Sequence, residues 1–143
     1  MEIYAADTTS DRLVNFSARA YVGPGAGLPI AGFIVRGDQP GRYLICGVGP
    51  ALASFGLTGT LADPVLTLTT AHGTLLATNR GWSGNANSAD LAITSAQLGA
   101  FPLTTASRDA ALLVTLAPGA YTAQLTGATD TSGLALLEVY EVP

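Results

Sequence analysis

An all-β chain, folded as one antiparallel β-sandwich of jelly-roll type with one short helix, is what three features of this sequence predict. Short apolar and β-branched runs recur at fairly regular intervals, and glycine-containing turns separate them. Only one segment has the alanine-rich character and flanking residues of a helix. At 143 residues with 48% hydrophobic content, the chain suits a single domain able to fill its own core.

The first run alternates, with Val14, Phe16, Ala18, Ala20 and Val22 on one face and Asn15, Ser17 and Arg19 on the other, which predicts a half-buried strand. Pro24, Gly25 and Gly27 then break the chain. Residues 30–36 and 42–48 read as two further strands, joined by a Gly-Asp-Gln-Pro-Gly turn and apolar enough to be central. Residues 49–56 predict a single helical turn, opened by Pro50 and closed by Gly56. Residues 65–70 and 74–79 flank His72-Gly73 and predict a hairpin. Ser88 to Leu98 is the helix: Ser88 is placed to cap it, Asp90 suits its positive end, Leu91 and Leu98 give it an apolar side, and Gly99 ends it. We expect this helix to cross an open end of the sandwich. Strand pattern resumes from Asp109, turns at Pro118-Gly119, continues through Tyr121, Ala123 and Leu125, and ends in a strand from Leu134 to Val142.

Charge excludes one class of function. Six arginines and no lysine face ten acidic residues, a net charge of -4 that offers no electrostatic footprint for nucleic acid. The mean hydropathy of +0.39 is high. Even so, no run reaches the roughly 18 consecutive apolar residues of a spanning helix. The single cysteine, Cys46, cannot form an internal disulfide, and its place in an apolar strand predicts a buried, inert thiol. The first residues carry neither the basic segment nor the apolar core of a signal peptide. Either the chain is intracellular or it begins inside a longer exported protein.

The two ends are alike. Glu2-Ile3-Tyr4 matches Glu138-Val139-Tyr140, 136 residues apart, as happens when a tandem array is cut near a unit boundary. The competing reading is two strands that are similar by chance. On the array reading, residues 1–11 correspond to the last strand of a preceding repeat and residues 12–143 are the sandwich domain. These six residues are then the candidates for self-association by strand addition, with the Leu134 to Val142 run as a poorly guarded edge.

Several stretches carry a family resemblance: Arg12-Leu13-Val14-Asn15, residues 45–55 around Gly49-Pro50-Ala51-Leu52, Leu61-Ala62-Asp63-Pro64, Arg108-Asp109-Ala110-Ala111-Leu112, and Leu116-Ala117-Pro118-Gly119-Ala120-Tyr121-Thr122. Together they resemble a repeat domain of large secreted bacterial surface proteins. The second half is also similar to bacterial pre-peptidase C-terminal domains, β-sandwiches appended to secreted enzymes. The resemblance implies an exported, non-catalytic structural or accessory module, extracellular or on the cell surface, whose partners are copies of itself or adjacent repeats. It brings no catalytic residues, and the scattered aspartates depart from the calcium-binding members of the wider group.

Other chemistry is thinly represented. Gly47-Val48-Gly49 departs from a dinucleotide fingerprint at its third glycine, where Leu52 stands, and reads better as a tight corner of backbone on backbone. His72, the only histidine, has the position of a turn residue, and Gly81-Trp82-Ser83-Gly84 is no nucleophile elbow. Asp130 with Thr131 and Ser132, or Asp7 with Asp11, supplies too few oxygens for calcium, so no metal and no cofactor is expected. Asp63 and Asp109 are expected to bond nearby backbone amides. The alternative to a structural module is a carbohydrate-binding accessory domain with polysaccharide as partner: Trp82, flanked by Arg80, Asn85 and Asn87, could stack on a sugar face and bond its hydroxyls, or could plug one end of the sandwich. Tyr21 with Tyr43 is a second exposed aromatic candidate.

Overall fold

Alternation of apolar residues turns into two stacked sheets. The structure, a computed structural model, describes residues 15–24 and 27–143. Within these, the strands are β1 (Asn15–Val22), β2 (Ile30–Val35), β3 (Gly41–Val48), β4 (Pro64–Thr70), β5 (Leu75–Asn79), β6 (Ala110–Leu116), β7 (Gly119–Gly127) and β8 (Gly133–Val142). The helix α1 (Ser88–Leu98) lies between β5 and β6, and short 3₁₀ helices span Pro50–Phe55, Trp82–Gly84 and Ala128–Asp130. The first sheet has the order β1-β8-β3-β6 and the second β2-β7-β4-β5, every pairing antiparallel. This interleaving of early and late strands is jelly-roll topology.

Strands β3, β6 and β8 of the first sheet send alternate residues to two different cores. From β3, Tyr43 and Ile45 point between the sheets, where they meet Leu66 and Leu68 of β4 and Tyr121, Ala123 and Leu125 of β7. Leu44, Cys46 and Val48 point the other way and pack with Leu52, Trp82, Leu91, Ala100 and Tyr140. The first sheet is therefore covered on both faces. Its outer cover is the Pro50–Phe55 turn, the Trp82 loop, α1 and the segment that follows it. The helix thus lies across the outer face of this sheet, against β3, β6 and β8, and not across an open end of the sandwich. Glycine is required at the corner before the Pro50 turn, because a Cβ on Gly49 would stand 2.2 Å from the Leu61 carbonyl oxygen.

Three expectations change on inspection of the topology. Among the described residues, 30–35 form an edge strand and not a central one: β2 pairs there only with β7, and Ile34 is 45% exposed. Conversely, the Leu134 to Val142 run is no edge, since β8 lies between β1 and β3 and pairs with both. The helix cap is Asn87, one residue earlier than expected; it makes no side-chain cap bond, and its Nδ2 donates to the Leu113 carbonyl. Gly99 ends the helix in the left-handed conformation, with φ of 67°.

Cys46 is fully buried in β3, and burial raises its thiol pKa well above the ordinary value, with Glu138 and Asp109 adding to the effect. The native protein is expected to resist a thiol reagent and to yield one reactive thiol on addition of denaturant. Rapid labelling of the native protein would contradict this packing.

Candidate functional site

The loop proposed to grip a sugar holds the fold together instead. Trp82 is only 5% exposed, and its indole N–H donates to the Thr104 carbonyl at 2.9 Å, so no face is offered for stacking. Asn85 donates to the Ala111 carbonyl at 2.8 Å, while the Ala111 N–H donates to the Asn79 side chain at 2.9 Å. Asn87 donates to the Leu113 carbonyl, and the Trp82 backbone N–H to that of Asp109. Asp109, Ala111 and Leu113 line the outer side of β6, the edge of the first sheet. The loop and its amide side chains therefore stand where a further strand would pair, capping that edge. Tyr43 is likewise buried, beside Phe33 at a ring distance of 5.4 Å, whereas Tyr21 is 55% exposed.

Arg80, the fourth residue of the proposed sugar site, faces Asp63. Its Nε donates to Asp63 Oδ1 at 2.9 Å and its Nη2 to Oδ2, and Arg108 adds a bond of 3.3 Å to the same Oδ2. Asp63 thus answers two guanidinium groups and not the backbone amides expected for it. Asp109 does bind amides, but across the fold: Oδ1 accepts from Gly49 at 2.8 Å and Ala51 at 3.3 Å, and Oδ2 from the Ser107 hydroxyl at 2.7 Å. It is completely buried.

Glu138, Val139 and Tyr140 lie within β8. Val139 points between the sheets, and Glu138 and Tyr140 point outward under the cover, all three 5–6% exposed. The Tyr140 hydroxyl donates to Glu138 Oε1 at 2.9 Å, and the Phe101 N–H donates to Oε2 at 3.2 Å. Glu2, Ile3 and Tyr4, their sequence counterparts, lie outside the described residues, as do Asp7, Asp11 and Val14.

Beside this pair opens a groove of about 490 Å³, lined by Ser17 and Arg19 of β1, Leu136, and an apolar wall that includes Leu52, Phe55 and Phe101. Phe55 is 62% exposed, with its ring 4.8 Å from that of Phe101. Sequence reasoning missed this groove because its walls come from four distant segments. Among the described residues its polar lining is Ser17 and Arg19, and the rest is apolar.

His72 occupies the exposed turn between β4 and β5. Among the described residues no group of three or more His, Cys, Asp or Glu is placed to hold a metal ion, and no helix is long and apolar enough to cross a membrane.

These features define a two-sheet antiparallel sandwich with a third layer of helix and loops on one sheet. No protein-family model matches the chain, and no curated protein matches it. Solved structures do: the pre-peptidase C-terminal domain of a collagenase from Bacillus anthracis aligns over 96% of this chain and 91% of that one, with a TM-score of 0.54 at 11% sequence identity. The likeness is one of fold, a β-sandwich of the pre-peptidase C-terminal type.

Two of the three buried carboxylates among the described residues, Asp63 and Glu138, are shifted in opposite senses. The Arg80 hydrogen bonds hold Asp63 below its ordinary value of 3.8, so its contribution to stability is present above that value and lost as pH falls through the lowered one. Burial raises Glu138 above 4.5, against the lowering effect of the Phe101, Tyr140 and Ser17 bonds. Its contribution is therefore full below 4.5 and declines as pH rises through the raised value. In melting temperature against pH, Asp63→Asn is expected to weaken the acid-side loss and Glu138→Gln to flatten the decline above pH 4.5. Curves parallel to the parent's would contradict both assignments.

Proposed function

We propose that this domain is a non-catalytic structural unit of an exported protein, built to stand in a tandem or self-associating surface fibre or stalk. The observation that carries the reading is what the two ends share. In β8, Glu138 and Tyr140 bond one another beneath the outer layer and Val139 fills the core between the sheets. Glu2-Ile3-Tyr4 repeats the two polar members unchanged and keeps a β-branched residue between them. A match by chance has no reason to keep those positions, whereas a second copy of the same strand does. On this reading the N-terminal copy belongs with the preceding unit and takes there the place that β8 takes here, between two strands.

Two further features support it. Of the side chains offered by the sequence for sugar binding, Trp82 is buried and Asn85 and Asn87 bond carbonyls of β6, which favours the structural reading over the accessory-domain alternative. The fold itself is that of a domain found attached to a larger chain, a collagenase.

Deleting residues 1–6 tests the assignment, because a segment that belongs to another unit contributes nothing to the stability of this one. The shortened chain is expected to keep the parent's melting temperature while its assemblies, followed by sedimentation velocity and negative-stain microscopy, shorten or disappear. A deletion that unfolds the domain would make the segment an ordinary internal strand and overturn the reading.

A further inference from the structure

Among the described residues the outer layer stops short of β1. Its helix packs on β3, β6 and β8, whereas the residues that β1 turns to the same face, Asn15, Ser17, Arg19 and Tyr21, are exposed. The step between layer and strand is the groove of about 490 Å³, with Ser17 and Arg19 along one side and Phe55 and Phe101 along the other. That volume lies within the roughly 300–1,000 Å³ of small-molecule sites.

The apolar side of the groove is held in place. Asp109 fixes the start of the Pro50–Phe55 turn, and Gly56 ends it in the left-handed conformation, with φ of 83°. The turn therefore presents the Phe55 ring to solvent in one position, against the ring of Phe101. Covering such a ring with hydrocarbon is favourable in proportion to the area removed from water. The polar side carries one open charge. Glu138, beneath Ser17, is buried, and its carboxylate already takes bonds from Tyr140, Phe101 and Ser17. Arg19 is different: its side chain is exposed, and no carboxylate pairs with it among the described residues.

A ligand matched to these walls has one negative charge and little other polarity. A second polar group would lie against Leu52, Leu57, Leu136 or the two rings and lose its hydration without a partner. The planar guanidinium fork of Arg19 fits a carboxylate, and a flexible hydrocarbon chain can follow a step built from four segments. We infer that this groove binds an unbranched alkyl carboxylate, with the carboxylate on Arg19 and the chain running past Leu136 onto Phe55 and Phe101. The site asks nothing of the fibre reading and stands or falls separately from it.

Titration of the full chain with hexanoate, octanoate and decanoate, all below micelle-forming concentration and followed by amide NMR shifts, tests the site. The Ser17, Arg19, Phe101 and Leu136 amides are expected to move, and affinity to rise about threefold with each added CH₂. Decyltrimethylammonium, with the same chain and the opposite charge, is expected to bind at least about tenfold more weakly than decanoate. Arg19→Gln and Phe55→Ser, both at exposed positions, are each expected to weaken decanoate at least about fivefold while the melting temperature holds. Should Phe55→Ser lower the melting temperature, Arg19→Gln and the two ligand comparisons decide. The site is refuted if decanoate moves none of these amides, if affinity ignores chain length or the sign of the head group, or if Arg19→Gln binds decanoate as the parent does.

Discussion

The carboxylate of Asp109, completely buried where β6 begins, is the point on which the outer layer of this molecule is hung. One oxygen accepts the Gly49 and Ala51 N–H groups and so fixes the Pro50–Phe55 turn. The other accepts the Ser107 hydroxyl, and the carbonyl of the same residue accepts the Trp82 N–H. Two segments distant in sequence thus meet at one residue. A buried charge is tolerable only when hydrogen bonds replace its hydration, and here donors are supplied from both sides. Glu138 repeats the device farther along the sheet, holding the Phe101 segment through its N–H. With both ends tied down, Trp82 and Leu91 can close over Leu44, Cys46 and Val48, and the first sheet acquires a second core.

Much of this was legible in the residues and some was not. Alternation in residues 15–22 and 119–125, the paired glycine turns, and the Ser88 to Leu98 segment ended by Gly99 are local signals, and the elements fall where those signals put them. The lone cysteine in an apolar strand was equally readable as a core residue. Strand order was not, because an apolar run such as residues 30–35 has the same composition in the middle of a sheet as at an edge. The two readings of Trp82, sugar contact or plug, stayed open in the sequence for a related reason. An aromatic ring among amide side chains has the composition of a sugar site and equally that of an edge cap, and only the position of β6 separates the two. Asp63 and Asp109 were expected to bond nearby backbone amides, yet apart from the Ser107 hydroxyl their side-chain partners lie 17 to 60 residues away.

The asymmetry between the sheets connects this architecture to function. The layer built on Asp109 and Glu138 closes the outer face of the first sheet, and its loop closes the β6 edge. Among the described residues the outer face of the second sheet has no such cover: Thr67, Thr69, Thr78, Thr122 and Thr126 with Gln124 make it uncharged and half-exposed. A domain of net charge -4 with this distribution has little long-range repulsion to keep copies apart. The outer layer thus protects the first sheet, with the groove at Phe55 and Arg19 left open on that side.

The account turns on Asp109 as the anchor of the outer layer, and amide-resolved hydrogen exchange of the Asp109→Ala variant addresses that most directly. The Gly49, Ala51 and Trp82 amides and those of α1 are predicted to exchange at least about tenfold faster, equivalent to about 1.4 kcal/mol, while Ala123 and Leu125 in the second sheet keep their protection. Equal loss of protection in both sheets, or no loss in the outer layer, would contradict it.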